Sequence, residues 1–286
     1  MRQSPARPLF ARKEEYSRVP LQVKPLQDRA EIVRRACCVW RLSVNFQFPH
    51  PAAPDGYNAT VRPLRSRALA VHCRLLAVYG EPRWRHPLPP VDELVSTILS
   101  QNTNDVNRDR AFVALREAFP TWEAARDAPA RAIVRAIRTA GLANRKGPRI
   151  QAVLRGISKE KGSLDLRFLR RMPPEQAMAW LMRFKGVGRK TASIVLLFSL
   201  GMPAFPVDTH IYRLSGRLGL RPERCSLEQA HNLLARSFPP ETYYAAHLNL
   251  IRHGREVCHA RKPACLECTL RRMCPYARHA REATRG

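Results

Sequence analysis

The sequence is poor in acidic residues. Its 286 residues include 23 Asp and Glu against 50 Lys and Arg, which gives a formal net charge of +27. The basic excess is spread along most of the chain, so the folded body should present a strongly positive face. This imbalance predicts a polyanionic partner, with nucleic acid as the leading candidate. Such attraction is independent of base sequence, so charge alone does not say what is done to that partner.

Long apolar runs are also missing. No segment approaches the ~18 apolar residues that a membrane helix needs, and no secretory h-region is present. We therefore expect a soluble protein without a membrane partner. Cysteine is scarce as well: four of the eight are scattered, and four fall close together near the end. That distribution argues against a disulfide framework and favours the reducing cytoplasm.

The first part of the chain lacks a sustained helical period. Residues 1–63 hold 8 of the 24 prolines, so we expect a poorly ordered extension there. From Leu64 onward apolar residues recur at three- and four-residue steps, and no convincing strand pairs occur. The class is therefore predicted as all-α with two lobes. Helices are expected at about 64–79, 91–100, 105–118, 121–125, 128–139, 144–158, 165–170, 173–183, 189–200, 208–218, 226–236 and 240–255.

The central feature of the sequence is a glycine turn, Gly186-Val187-Gly188, that runs into an apolar helix. Glycines permit backbone angles that other residues resist, and a helix start leaves N–H groups bare. Those groups, the helix dipole and the neighbouring Arg189 suit a phosphate oxygen. An ordinary helix-helix turn would look similar. The following Ile194–Leu200 segment is apolar nearly all round, which predicts that this turn sits on a rigid, buried element.

Lys190 and Asp208 are the candidate catalytic residues. Lys190 should lie at the mouth of the buried element, where a helix N-terminus and Arg189 disfavour its ammonium form. A solvated lysine that only contacts phosphate is the simpler alternative. Asp208 precedes a helix and is expected to cap it, and its carboxylate could also stabilise positive charge developing on a sugar. We interpret the two as one site on nucleic acid.

Four cysteines near the end form a candidate metal centre. Four thiolates within seventeen residues suit a [4Fe-4S] cluster or a zinc ion. Only the middle pair has the Cys-x2-Cys spacing of generic zinc motifs, which favours iron. The segment between the first two cysteines is basic, and its Arg261 and Lys262 are predicted to contact phosphate. The ligands are Cys258, Cys265, Cys268 and Cys274.

Taken together, these motifs resemble the endonuclease III family of base-excision DNA glycosylases. The resemblance covers roughly residues 64–276 and implies a helix-hairpin-helix with Lys190 as nucleophile, Asp208 as its partner and a [4Fe-4S] cluster on the four cysteines. The hairpin residues that would contact DNA are Gly186, Val187, Gly188 and Arg189. The motifs are Gly186 to Ala192, Val207-Asp208-Thr209-His210 and the Cys-x6-Cys-x2-Cys-x5-Cys loop.

The resemblance also implies an architecture, with DNA lying across the cleft between two lobes. By the same resemblance, Gln101 would fill the gap left by a flipped nucleotide and Leu142 would wedge between bases of the other strand. The implied parts are an extension 1–63, a cluster lobe 64–84 plus 203–278, a six-helix barrel lobe 85–202 with the helix-hairpin-helix at about 173–200, and a basic tail 279–286.

The sequence departs from the family in its hairpin. Phe184-Lys185 stands where Leu-Pro is usual, which adds a charge and removes proline's restraint. Related adenine glycosylases carry an acid at the position of Thr97, lack the lysine and have a further C-terminal domain, so that activity is disfavoured.

We therefore predict a bifunctional DNA glycosylase and AP lyase. It would act as a monomer on oxidised pyrimidines or abasic sites in double-stranded DNA, and associate with the nucleoid if bacterial. The alternatives are a monofunctional glycosylase of the same fold and a non-catalytic iron-sulfur DNA-binding protein.

Overall fold

The computed structural model describes residues 58–82 and 87–282, and all regular secondary structure in these two ranges is helical. This confirms the predicted all-α class. None of these helices could span a bilayer. The α-helices are α1 Asn58–Tyr79, α2 Pro90–Ser100, α3 Asp105–Ala118, α4 Trp122–Asp127, α5 Ala130–Ala136, α6 Ala143–Lys161, α7 Pro174–Met182, α8 Arg189–Ile194, α9 Thr209–Arg217, α10 Leu227–Ser237, α11 Tyr243–Glu256 and α12 Pro275–Glu282.

Helix boundaries differ from the sequence prediction in a few places. The predicted extension 1–63 lies outside the described residues up to 57, but 58–63 already belong to α1. These residues were not predicted to be helical because Pro63 lies among them and proline usually interrupts a helix. The segment predicted at 165–170 is a 3₁₀ turn, Arg167–Arg171. Of the predicted basic tail, 279–282 are the end of α12 and 283–286 are outside the described residues.

The buried apolar side chains form two clusters. The first is built from residues between Val91 and Ala204, and the second from α1 together with residues between Leu197 and Ala277. Helix α8 continues as a π-helical turn, Val195–Ser199, whose Leu196 belongs to the first cluster and whose Leu197 belongs to the second. The apolar helix that follows the glycine turn therefore lies between the two cores, as its all-round apolar character predicted.

The described part of the chain contains both disulfide-bonded and free cysteines. Cys73 of α1 is disulfide-bonded, although the cysteine distribution argued against a disulfide framework. The other five cysteines of the described ranges are free thiols: Cys225, Cys258, Cys265, Cys268 and Cys274.

Candidate active site and metal centre

The glycine turn joins α7 to α8 and has a backbone that only glycine adopts easily. Gly186 has φ +94°, and a Cβ there would lie 2.1 Å from Cδ of Arg149. Val187 is buried and its N–H donates to the carbonyl of Phe184 at 2.9 Å. Gly188 is the N-terminal cap of α8 and has open space around it. The turn is thus tightly packed on its inner side and open at the helix start, where N–H groups are available.

Lys190 is the second residue of α8 and is half-buried. The three residues after it are all buried, which anchors its backbone between the two cores. Its amine takes part in no hydrogen bond or ion pair with any residue that the structure describes. An amine without such partners among the described residues is free to approach a substrate, which a nucleophile requires.

Asp208 is the N-terminal cap of α9, as predicted. Its Oδ1 accepts a hydrogen bond from the N–H of Ile211 at 2.8 Å, and the side chain is half-buried. Val207 before it is buried, and so is Ile211 after it. The carboxylate is therefore fixed in place by the helix start, and it forms no ion pair with Lys190 within the residues described.

The charges of both candidate catalytic residues, Lys190 and Asp208, affect the pKa of His247 on α11. The imidazole is buried and its Nδ1 donates to the carbonyl of Pro206 at 3.0 Å. Burial lowers its pKa to about 4, Asp208 opposes that shift, and Lys190 adds to it. The imidazole is thus neutral at ordinary pH. His247 was not predicted from the sequence, since a lone histidine in an apolar helix usually has only a packing role.

Gln101 and Leu142, the residues that would enter the duplex, lie on two separate loops. Gln101 follows α2, donates through Nε2 to the carbonyl of Gly186 at 3.2 Å and accepts from Nη1 of Arg149 at 3.0 Å. Leu142 precedes α6 and is 49% exposed, with φ +51°. The structure therefore connects Gln101 to the glycine turn and leaves an apolar side chain exposed at Leu142.

Arg189 has partners that the sequence did not reveal. Its guanidinium forms an ion pair with Glu228 and a 2.6 Å hydrogen bond to Oδ1 of Asn232, both on α10. It remains 24% exposed. This contact ties the start of α8 to α10, so any phosphate that reaches Arg189 meets a guanidinium whose charge is partly offset.

The four clustered cysteines line one cavity, with Cys274 buried and the other three half-buried. Within 58–82 and 87–282, no group of three or more His, Cys, Asp or Glu side chains is close enough to count as a metal site. Burial raises the pKa of Cys268 and Cys274, and neighbouring thiols raise both further. The four thiols are nevertheless soft donors that line one cavity, so their chemistry fits an iron-sulfur cluster or zinc although they do not form a ligand group as they stand.

Arginines of α9 hold the cysteine loop. Arg217 donates to the carbonyls of His259 at 2.6 Å and Ala260 at 2.9 Å, and to Sγ of Cys258 at 3.2 Å. Arg213 donates to the carbonyl of Cys258 at 2.9 Å. Arg261 and Lys262, which follow these carbonyls, are both exposed. The side chains of Arg261 and Lys262 are therefore exposed, while Arg213 and Arg217 hold the backbone of the loop by hydrogen bonds.

Comparison with known proteins agrees with this arrangement. Residues 95–240 match the HhH-GPD superfamily of base excision DNA repair proteins. The chain is 32% identical to an endonuclease III of Thermotoga maritima over 197 residues, 69% of this chain and 88% of that protein. It is 37% identical over 172 residues to an Arabidopsis thaliana protein assigned to the DNA glycosylases, 60% of this chain and 59% of that protein.

Solved structures give the same answer. An endonuclease III in a non-covalent complex with DNA superimposes with a TM-score of 0.66 at 25% identity, over 76% of this chain and 98% of that one. A trapped covalent endonuclease III–DNA intermediate gives 0.65 at 26% identity, over 78% and 99%. The chain is therefore a DNA-binding base excision repair protein of the helix-hairpin-helix class. It belongs to the endonuclease III family and is a DNA glycosylase/AP lyase, which confirms the resemblance.

Proposed function

We propose that this glycosylase/lyase excises oxidised pyrimidines from double-stranded DNA, using Lys190 as nucleophile and Asp208 as its charged partner. The observation that carries the proposal is that two half-buried groups act electrostatically on the same neutral His247: the Lys190 amine, which has no partner among the described residues, and the Asp208 carboxylate, which caps α9. An uncharged buried neighbour leaves the amine and the carboxylate as the two charges that act on a sugar placed between them.

The proposed reaction starts with a damaged nucleotide turned out of the stack, which costs less free energy for a base that pairs badly. The free amine of Lys190 attacks C1′ of the deoxyribose, and the base leaves with the electron pair of the C1′–N bond. Asp208 offsets the positive charge on the sugar as that bond breaks. The nitrogen loses a proton and the C1′–O4′ bond breaks with protonation of O4′, so the sugar ring opens and a Schiff base joins Lys190 to C1′. The Schiff base acidifies the C2′ hydrogen, and loss of that proton expels the 3′ phosphate by β-elimination.

The same proposal extends to the rest of the surface. Gln101 would occupy the space of the extruded nucleotide and Leu142 would separate bases of the other strand. Phosphates would meet the glycine turn of Gly186 to Gly188, the guanidinium of Arg189, and the exposed Arg261 and Lys262. The two buried clusters support a barrel lobe of 85–202 and a cluster lobe of 64–84 with 203–278. We further propose that the protein acts as a monomer in the cytoplasm.

For the metal centre we propose a [4Fe-4S] cluster on Cys258, Cys265, Cys268 and Cys274. When bound it would supply a rigid cross-link, since four protein ligands leave no open position for substrate. Arg217 and Arg213 hold the cysteine loop by donating hydrogen bonds to its carbonyls. Arg261 and Lys262 of the same loop are exposed. Visible absorbance and iron content of the purified protein distinguish this cluster from colourless zinc.

The test compares duplexes carrying thymine glycol, 8-oxoguanine, an abasic site or no lesion. The protein should release thymine glycol and nick the strand, act weakly on 8-oxoguanine and ignore undamaged DNA. Lys190→Gln should lose both steps, whereas Lys159→Gln, which removes an exposed lysine at the end of α6, should keep both. Base release that survives in Lys190→Gln would instead indicate a monofunctional glycosylase. Tight duplex binding with neither step would indicate a non-catalytic binder.

A further inference from the structure

Lys146 is a buried lysine outside the proposed catalytic pair. It lies in the first turn of α6 and is 2% exposed. Its Nζ donates to the carbonyl of Leu99 at 2.7 Å, to Oγ1 of Thr103 at 2.7 Å and to the carbonyl of Ala140 at 2.8 Å. An ammonium has three N–H groups, so every donor is used. All three acceptors are neutral oxygens.

The acceptors lie in or next to the two loops that carry Gln101 and Leu142: Thr103 is in the first loop, Leu99 is in the last turn of α2, and Ala140 ends the 3₁₀ turn Arg138–Ala140. Leu99 and Thr103 stand two residues before and after Gln101, and Ala140 stands two residues before Leu142. The hydroxyl of Thr103 also bonds the carbonyl of Ala140. The Lys146 ammonium and the Thr103 hydroxyl thus connect both loops to each other and to the start of α6 by hydrogen bonds.

Both loops hold a non-glycine residue in the left-handed region. Asn102 has φ +52° and Leu142 has φ +51°, and Lys262 is the one other such residue in 58–82 and 87–282. This conformation costs free energy for residues with a Cβ and persists where the surroundings enforce it. The hydrogen bonds of Lys146 lie close to both positions, at Thr103 next to Asn102 and at Ala140 two residues before Leu142.

Packing alone does not account for a lysine here. Burial lowers the pKa of Lys146 to about 8, which reflects the cost of removing an ammonium from water. An apolar residue of similar length would avoid that cost, but the carbonyl of Leu99 would lose this donor and the carbonyl of Ala140 would keep only the Thr103 hydroxyl. The contribution of a lysine at this position is therefore to donate three hydrogen bonds to buried acceptors.

We propose that Lys146 is a positioning residue that holds the Gln101 loop and the Leu142 loop in fixed register, so that both side chains enter the duplex together. The inference rests on the proposed function, in which those two residues replace and separate bases. Lys146 contacts neither Lys190 nor Asp208, so its removal should weaken engagement of the duplex and spare the chemical step.

The experiment uses the full-length, cluster-loaded protein with three variants: Lys146→Met, Thr103→Val and, as control, Lys159→Met. Lys159 lies on the same helix but is exposed. Borohydride trapping rates are measured on an abasic site in a duplex and on the same abasic strand alone, which requires no base to be displaced. A second duplex places 2-aminopurine opposite a stable abasic analogue, so fluorescence reports unstacking of the base across from the site.

We expect Lys146→Met to trap duplex DNA about tenfold more slowly or worse, because buried acceptors lose their donor. Trapping on the single strand should stay within about threefold of the parent protein, and the 2-aminopurine signal should be lost. Thr103→Val should show the same split to a smaller degree, and it carries the test if Lys146→Met does not fold. Lys159→Met should match the parent.

Equal losses on duplex and single strand would overturn the proposal, since they would mean that Lys146 supports only the fold. Unchanged duplex trapping and fluorescence in both variants would overturn it as well. If the parent protein forms no adduct on either substrate, the proposed chemistry fails. The 2-aminopurine signal then still decides the role of Lys146, because it requires insertion without reaction.

Discussion

Oδ1 of Asp208 accepts the N–H of Ile211 at 2.8 Å, which leaves the second carboxylate oxygen without a hydrogen-bond partner among the described residues. One oxygen therefore serves the helix and the other is available to a substrate. The two roles can be separated by substitution, because an asparagine caps a helix nearly as well as an aspartate but carries no charge.

Asp208→Asn should keep the fold and lose turnover. We expect the free energy of unfolding to change by less than about 0.5 kcal/mol, since the cap to Ile211 survives. Base excision should fall by about 100-fold or more, because the charge that offsets the sugar cation is gone. Denaturant unfolding and single-turnover excision measure the two effects. Asp208→Ala, which removes both roles, should add about 1 kcal/mol of destabilisation; equal stability of the two variants would contradict the cap.

Acid should destabilise the protein through His247. Its folded pKa is lowered from 6.5 to about 4, so between these values the unfolded chain binds a proton that the folded chain does not. Stability is therefore retained above pH 6.5 and lost as pH falls towards 4, by up to about 1.4 kcal/mol per pH unit. The charges of Asp208 and Lys190 act on the same imidazole, and so does His231.

The measurement is denaturant unfolding between pH 4 and pH 7. His247→Gln should reduce the slope by about one proton, because glutamine can still donate to the carbonyl of Pro206 but does not titrate. His259→Gln, which removes an exposed histidine, is the control. A slope that is the same in His247→Gln and in the parent protein would show that this group is not held neutral by burial.

Cys265→Ser should prevent binding of the proposed [4Fe-4S] cluster. The Cys265 thiol lines the cavity and forms no hydrogen bond with the residues described, so ligation is the contact that the substitution removes. We expect loss of iron, loss of visible absorbance and weaker duplex binding with a lower Tm, since the loop carrying Arg261 and Lys262 is no longer cross-linked. Cys225→Ser, at a free thiol outside the cavity, should keep its iron. Full iron content in Cys265→Ser would refute its assignment as a ligand.

The unusual hairpin residue Phe184 should be coupled to Gly156. A Cβ at Gly156 would lie 2.7 Å from Cε1 of Phe184, whose ring also packs edge-on against Trp180 at 5.0 Å. Gly156→Ala gains helix propensity of about 0.5–1 kcal/mol but suffers overpacking of about 1–3 kcal/mol, so it should be net destabilising.

Phe184→Leu removes the ring and makes room for that methyl group. The double variant should therefore be more stable than the sum of the two single changes predicts, by about 1 kcal/mol. Denaturant unfolding of all four proteins measures this coupling. Strict additivity would mean that the Phe184 ring does not fill the space above Gly156.

Much of the fold was predictable because it depends on local patterns. The 105–118 helix was predicted with the bounds that α3 has, since its cap, its apolar spacing and its stop are adjacent in sequence. The all-α class followed from helical periodicity. The start of α1 was missed because a proline normally ends a helix, and here Pro63 lies within one.

The surroundings of the candidate site were harder to predict because they depend on distant contacts. Lys146 reaches Leu99 across 47 positions, and Arg189 reaches Glu228 across 39. One signal was present: Lys146 shares the apolar face of α6 with Ile150, Val153 and Ile157, and a lysine on such a face needs buried acceptors. His247 gave no comparable signal, since the charges near it come from α8 and the start of α9.

The role of Lys190 as nucleophile is tested most directly by identifying the residue that bonds covalently to DNA. The protein is incubated with a duplex bearing an abasic site, the adduct is fixed with borohydride and digested, and the modified peptide is sequenced by mass spectrometry. We expect deoxyribose to be attached to Nζ of Lys190. Attachment to any other lysine, or to the N-terminal amine, would contradict it.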